Sequence, residues 1–275
     1  MPTVKEVLND TKKRLKEQGI DTFSLDSSLL VSEVTGFTKI QLVTHDRDEV
    51  TVEQLDRLEN LVEERLKNKP MQYILGHCEF MGLDFKVTEN TLIPRGDTEN
   101  IVEEVIATIE DSGYNTVLDM CTGTGAIAIS VAHYTKAKVT ASDISKKALE
   151  VARENAQNLN ADVNFIESDL FENINEKFDV IVSNPPYIES EVIPTLMEQV
   201  KDYEPMLALD GGKDFYRNII NQANNYINQN GCIVFEIGYN QGGQVKSLLE
   251  NAGFVNINVK QDLAGLDRLV IGFKL

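Results

Sequence analysis

Histidine and cysteine are scarce in this chain of 275 residues, which has three of each. The odd cysteine count and the scattered positions indicate neither a disulfide framework nor a metal site. No apolar run approaches the ~20 residues that cross a bilayer. Residues 1–18 lack the apolar core and the cleavage site of a secretory signal. We therefore expect a cytoplasmic protein with no membrane segment and no bound metal. The scattered positions are His45, His77, His133, Cys78, Cys121 and Cys232.

Basic residues are also few: 26 lysines and arginines stand against 44 aspartates and glutamates, for a net charge of -18. Residues 70–275 hold 15 of the basic and 30 of the acidic side chains. Binding to DNA or RNA draws most of its affinity from basic groups that meet phosphates. We therefore do not expect direct nucleic-acid binding.

The first quarter of the chain has the apolar spacing of helices. A capping box at Thr51 and Gln54 precedes an apolar stripe, and Gly36 follows another helical stretch as a plausible C-cap. These patterns predict a small helical bundle over residues 1–68. Pro70 interrupts the pattern, and from Tyr73 to Val87 apolar residues alternate with polar ones. We interpret residues 69–95 as a β-hairpin linker.

Residues 96–275 alternate between strand and helix patterns, which predicts an α/β domain with a mainly parallel sheet covered on both faces. The last two strands are separated only by residues 261–267, too few for a parallel crossover, so they should pair antiparallel. The predicted helices are 97–112, 125–134, 145–158, 214–228 and 241–251, and the predicted strands are 116–120, 138–142, 163–167, 179–183, 232–237, 254–260 and 268–273.

A glycine-rich stretch, Asp119-Met-Cys-Thr-Gly-Thr-Gly125, lies where the first strand of this sheet turns into its helix. Glycines there let a ligand approach the backbone, and an acidic residue after the next strand, Asp143, can accept the hydroxyls of a ribose. A dinucleotide and a sulfonium nucleoside both suit such a loop. Asp119 would repel a pyrophosphate, whereas it suits a cationic cofactor. The pattern therefore favours S-adenosylmethionine over NAD.

The tetrapeptide Asn184-Pro185-Pro186-Tyr187 follows a strand that is apolar on both faces. Two prolines fix the backbone and remove two N–H donors, which leaves a corner rich in acceptors. The Asn184 side-chain oxygen and the Pro185 carbonyl can each accept a proton from one target amino group, while the Tyr187 ring can stack on a planar amide or base. We expect Asn184 and Pro185 to be the catalytic residues of a nitrogen methyltransferase, in which positioning supplies much of the catalysis.

Besides the tetrapeptide Asn184–Tyr187, six blocks of the chain are distinctive: Pro70–Gly76, Phe80–Phe85, Leu92–Arg95, Ser168–Phe171, Glu236–Gly238 and Asp262–Arg268. With these blocks the sequence resembles the HemK/PrmC-type peptide chain release factor glutamine methyltransferases over nearly the whole chain. The tetrapeptide is shared with nucleic-acid amino-methyltransferases, so the linker blocks are the specific part.

This resemblance implies a helical N-terminal domain that recognises the partner, followed by a class I (Rossmann-like) methyltransferase domain. It implies methyl transfer from S-adenosyl-L-methionine to N5 of the glutamine in the GGQ motif of release factors, the protein partners. Asn184, Pro185, Pro186 and Tyr187 would hold the glutamine amide. The cofactor contacts it implies are Cys121, Thr122, Gly123, Thr124, Gly125, Asp143, Leu170 and Asn184.

Four features depart from the family pattern. Gly96-Asp97 replaces the common Pro-Glu after Arg95, and the chain is a few residues short between Asp214 and Phe215. In addition, Cys121 stands where glycine is usual, and Leu170 where some members have tryptophan. The changes at Cys121 and Leu170 bear on cofactor affinity. An adenine-N6-type nucleic-acid methyltransferase is the alternative, since it also presents an amino group to such a corner. It would need a basic groove beside Tyr187, but segment 188–206 has five acidic residues and one lysine. A non-catalytic adaptor with a vestigial cofactor site is a third hypothesis, which the intact tetrapeptide disfavours.

Overall fold

The structure, a computed structural model, describes residues 1–212 and 214–275. The chain forms two compact units. The first consists of Met1–Gly76 together with Met197–Tyr203, and the second of His77–Leu196 together with Glu204–Leu275. None of the helices in the described residues is long and apolar enough to cross a membrane.

The elements follow one another as α1 (Val4–Glu17), α2 (Phe23–Thr35), α3 (Lys39–Thr44), α4 (Val52–Leu66), α5 (Met71–Leu75), β1 (His77–Phe80), β2 (Leu83–Lys86), α6 (Gly96–Ser112), β3 (Thr116–Met120), α7 (Ala126–Tyr134), β4 (Lys138–Asp143), α8 (Lys146–Asn158), β5 (Val163–Glu167), β6 (Phe178–Ser183), a 3₁₀ turn (Ile193–Thr195), α9 (Glu198–Lys201), α10 (Met206–Leu209), α11 (Phe215–Ala223), β7 (Ile227–Glu236), α12 (Gly242–Asn251), β8 (Val255–Gln261) and β9 (Asp267–Phe273).

The first unit is a helical bundle, as the apolar spacing predicts. The capping box at Thr51 is confirmed, and Gly36 ends α2 with a φ of 73°, a left-handed cap that glycine adopts without strain. Apolar side chains of α1, α2 and α4 are completely buried together. The short helix α9, which comes from the segment after the tetrapeptide, belongs to this unit, where Glu198 accepts a hydrogen bond from Asn68 at 2.8 Å.

The second unit contains a seven-stranded sheet in the order β5-β4-β3-β6-β7-β9-β8. The first five of these strands are parallel, and β9 runs antiparallel to both β7 and β8. Val180 and Val182 of β6 pack into one apolar cluster with α6 and α7, whereas Ile181 packs into a second cluster with α11 and α12. A mainly parallel sheet buried on both faces is thereby confirmed, together with its antiparallel end.

Three predicted boundaries are wrong, and one of them is the start of β7, which lies at Ile227 rather than at residue 232. Tyr73 lies in helix α5, which starts after Pro70 and ends at Gly76 with a φ of 80°, so the hairpin is limited to β1 and β2. The helix predicted over 214–228 stops at Ala223, because a turn follows and Ile227 already pairs with Phe178 of β6. These errors lie beside short turns, which have fewer residues than are needed to recognise a helical or strand pattern in the sequence.

Candidate active site

The site lies where the strand order reverses. From β3 the chain adds β4 and β5 on one side and then returns to place β6 on the other side of β3. The carboxyl ends of β3 and β6 therefore form a topological switch point, the crevice in which open α/β sheets bind ligands. A cavity that is open to solvent lies there. The predicted residues that line it are Cys121, Thr122, Gly123, Thr124, Asp143, Leu170, Asn184 and Pro186.

The loop after β3 is shaped to expose its backbone to this cavity. Cys121 and Gly123 have φ values of 63° and 56°, in the left-handed region. The Thr122 N–H donates to the Ser142 carbonyl at 3.0 Å, which joins the loop to the end of β4. A side chain at position 123 would meet no atom within 4 Å, so the space beside this glycine is open. The loop therefore leaves room for a ligand against its backbone.

Gly125 has a structural role in packing, unlike Gly123, which lines the cavity. Gly125 is not among the residues that line the cavity, and it precedes α7 with a φ of 81°. A Cβ atom there would lie 2.8 Å from Cδ1 of Ile129 and 3.2 Å from Cβ of Ala152. This glycine is required for the turn and for packing between α7 and α8, and its predicted contact with the cofactor stays a prediction.

Asp119 is completely buried behind the loop rather than in the cavity wall. Its Oδ2 atom accepts hydrogen bonds from the Thr122 hydroxyl at 2.5 Å and from the Ala128 N–H at 3.1 Å. Its Oδ1 atom has no hydrogen-bond partner among the described residues. Burial raises the pKa of this carboxyl to about 7, because the charged form loses its hydration. Asp119 thus holds the glycine loop to the start of α7.

Asp143 ends β4 and fixes two backbone segments. Its Oδ2 atom accepts the Gly123 N–H at 2.9 Å, and its Oδ1 atom accepts the Ser145 N–H at 2.8 Å. Burial raises the pKa of this carboxyl, while the two backbone N–H groups lower it. Each oxygen keeps a lone pair, so the carboxylate can still accept the two hydroxyls of a ribose, the role that the sequence predicts.

The tetrapeptide forms an acceptor corner at the end of β6. Asn184 is partly buried in the cavity wall, and Pro185 is buried behind it. Within residues 1–212 and 214–275, neither the Asn184 side chain nor the Pro185 carbonyl has a hydrogen-bond partner. Two neighbouring acceptors without partners, one of them in the cavity wall, suit an amino group as ligand.

Tyr187 is not among the lining residues but is fixed behind the corner. Its carbonyl accepts a hydrogen bond from Nε2 of Gln241 at 3.0 Å, and its hydroxyl lies 3.5 Å from Oε1 of Glu236. Gly211 also packs against it, because a Cβ atom at position 211 would lie 2.7 Å from the Tyr187 Cα. Burial raises the pKa of Tyr187 to about 12, so the phenol stays protonated.

Glu236, the last residue of β7, has no role that the sequence patterns predict. Its side chain is buried, and its Oε2 atom has no hydrogen-bond partner among the described residues. Burial raises its pKa to about 7 although the Thr98 hydroxyl and the Arg268 charge lower it. In the sequence, the block Glu236–Gly238, which resembles the family, could have pointed to this residue. Only the tertiary structure places its carboxyl behind Tyr187.

The sheet order with its antiparallel β9, the glycine loop and the acceptor corner together define the second unit as a Rossmann-like methyltransferase domain. Two family models match the chain: the PrmC N-terminal domain over residues 6–76 and the methyltransferase small domain over residues 101–262. A methyltransferase structure from Pyrococcus furiosus has the same fold, with 19% identity, a TM-score of 0.53, and coverage of 78% of this chain and 98% of that one.

Among curated relatives, the release factor glutamine methyltransferase of Clostridium acetobutylicum is 42% identical over 280 residues, which cover 98% of each chain. That of Fusobacterium nucleatum is 40% identical over 277 residues, which cover 98% of this chain and 78% of the relative. The chain belongs to the release factor glutamine methyltransferase family. The family and the enzyme class expected from the sequence are thereby confirmed.

Proposed function

We propose that this enzyme transfers a methyl group from S-adenosyl-L-methionine to N5 of the glutamine in the GGQ motif of peptide chain release factors. One observation carries the proposal: the Asn184 side chain lines a cavity next to a glycine loop and has no hydrogen-bond partner among the described residues, and the neighbouring Pro185 carbonyl has none either. Membership of the family supports this choice of substrate.

The cavity suits S-adenosylmethionine by its donors and acceptors and by its place at the switch point of the sheet, where open α/β sheets bind ligands. Asp143 is placed to accept ribose hydroxyls, and Leu170 offers an apolar surface. Gly125 contributes to the cofactor site through the turn before α7 that this glycine makes possible. The residues that we assign to contact with the cofactor are Cys121, Thr122, Gly123, Thr124, Asp143, Leu170 and Asn184.

The residues of the corner position the target nitrogen. When bound, the sulfonium cofactor supplies an electrophilic methyl carbon. Asn184 and Pro185 accept the two N–H groups of the glutamine amide, which aims the nitrogen lone pair away from them and towards that carbon. These hydrogen bonds strengthen as the N–H groups become more acidic during transfer, so they bind the transition state better than the ground state. Pro186 lines the cavity and borders the amide, whereas Tyr187 supports the corner from behind and its stacking on the amide stays a prediction.

The helical first unit is assigned to recognition of the release factor. Its helices α3 and α2 expose apolar side chains, among them Ile40, Val43 and Leu25, which a partner protein would cover. The acidic character of residues 70–275 does not favour DNA or RNA as the substrate.

Tritiated-methyl S-adenosylmethionine tests the proposal. The full chain is incubated with a bacterial release factor, with its GGQ glutamine→alanine variant, and with single-stranded and duplex DNA. We expect label on the release factor and none on its variant. Label on nucleic acid alone would instead establish the amino-methyltransferase alternative, and label on none of the substrates would overturn the assignment.

A further inference from the structure

Arg95, the last residue of the predicted linker, differs in charge from the other residues that line the cavity. It is the one basic side chain among the described lining residues, and the acidic ones are Asp143 and Asp169. A cavity with this distribution attracts a carboxylate to one place and repels it from two others.

The guanidinium of Arg95 is anchored by one protein partner, and some of its N–H groups are left for a ligand. Its Nη2 atom donates to Oε1 of Glu204, whose side chain is almost completely buried. Within residues 1–212 and 214–275, its Nε and Nη1 atoms donate to no protein acceptor. About 40% of the Arg95 side chain is exposed, so these remaining N–H groups are accessible. An arginine fork that is anchored on one side is well suited to bind a carboxylate on the other.

We infer that Arg95 binds the α-carboxylate of the methionine part of S-adenosylmethionine. This inference rests on the proposed function, because it takes the cofactor from there. The nucleoside part of that cofactor carries no anionic group, so its carboxylate is the one group that needs a cation from the protein. Arg95 then determines that the site binds nucleosides with an amino-acid tail more tightly than simple thionucleosides.

Two ligands distinguish carboxylate binding by Arg95 from a general effect of its substitution on the cavity. S-adenosylhomocysteine carries the amino-acid tail, whereas 5′-methylthioadenosine has the same nucleoside and sulfur without it. Calorimetric titration of Arg95→Gln should show S-adenosylhomocysteine bound about tenfold or more weakly than by the wild type. The affinity for 5′-methylthioadenosine should change by less than about twofold, since that ligand has no carboxylate.

Three further variants control the result. Lys147→Gln removes an exposed cation from α8, and it should leave both affinities unchanged. Arg95→Lys keeps the charge and should recover part of the lost affinity. Glu204→Gln removes the anionic partner of Arg95 but keeps the guanidinium, so S-adenosylhomocysteine should still bind within a few-fold of the wild type, and circular dichroism checks that each variant is folded.

Other outcomes would overturn the inference. Equal weakening of both ligands in Arg95→Gln, or the same loss in Glu204→Gln, would show that Arg95 only supports the wall of the cavity. Unchanged binding of S-adenosylhomocysteine in Arg95→Gln would exclude the contact. A wild-type chain that binds neither ligand would overturn the proposed function itself, a result that is distinct from the first two.

Discussion

The carboxylate of Asp143 accepts the backbone N–H of Gly123 at 2.9 Å, and this contact joins the end of β4 to the glycine loop after β3. The same carboxylate accepts the Ser145 N–H at 2.8 Å. A single side chain therefore shapes the loop, fixes the start of α8 and faces the cavity. Loop geometry and ligand binding are coupled through its two oxygens.

Asp143→Asn should weaken the binding of S-adenosylmethionine about tenfold or more. The amide replaces one acceptor oxygen by an NH₂ group, which then faces a backbone N–H that has lost its acceptor. Calorimetric titration measures the affinity. Asp162→Asn, a change at an exposed site, is the matched control and should bind as the wild type does. Unaltered affinity in Asp143→Asn would show that the loop does not depend on this carboxylate.

Asn184→Ala should nearly abolish methyl transfer and leave cofactor binding mostly intact. The alanine removes one of the two acceptors that orient the target nitrogen, so kcat should fall by about 100-fold or more. Initial rates with a release factor, together with a titration of S-adenosylhomocysteine, separate the two effects. The exposed Asn158 at the end of α8 provides a control as Asn158→Ala. Full activity of Asn184→Ala would refute the proposed mechanism.

Glu236→Gln should raise the free energy of unfolding, relative to the wild type, by more at pH 8 than at pH 5. Burial raises the pKa of the Glu236 carboxyl from 4.5 to about 7. Its contribution to stability is thus fully present below pH 4.5 and is lost as the pH rises through about 7, where the buried group must ionise. The variant avoids this loss, which is on the order of 3 kcal/mol at most.

Urea unfolding of both proteins at pH 5 and pH 8 measures this difference. The groups near Glu236 are Tyr187, Tyr216, Thr98, Arg268 and Asp97, and all are present in both proteins. Asp119, whose pKa is also raised to about 7, is likewise common to both and cancels in the comparison. The exposed change Glu176→Gln should show no such pH dependence. An equal free-energy difference at the two pH values would contradict the prediction.

Arg65→Met should destabilise the first unit by about 3–5 kcal/mol. The Nε atom of Arg65 donates to Oδ2 of Asp26 at 2.7 Å, and both side chains are buried. Removal of the arginine leaves a buried carboxylate without its cation. Arg57→Met is the matched control. Arg57 pairs with Glu33 at 3.1 Å on the surface, where an ion pair contributes less than about 1 kcal/mol to the free energy of unfolding. Urea unfolding that shows equal effects would disprove the distinction.

Local features of the chain were predictable because they depend on neighbouring residues. The capping box at Thr51 and the glycine cap at Gly36 are set by hydrogen bonds within a few residues. Alternation of strand and helix patterns indicated the parallel sheet, and the short connection between β8 and β9 indicated their antiparallel pairing. The tetrapeptide identified the acceptor corner because two prolines restrict the backbone in any context.

The sequence by itself determined the family, the α/β class and the chemical character of the corner at Asn184. Only the tertiary structure decided what stands behind and around it: Glu236 and Gln241 against Tyr187, Arg95 in the cavity wall, and Met197–Tyr203 in the first unit. These relationships join residues far apart in the chain. They depend on strand order and on packing between elements, which periodicity and local hydrogen bonding do not specify.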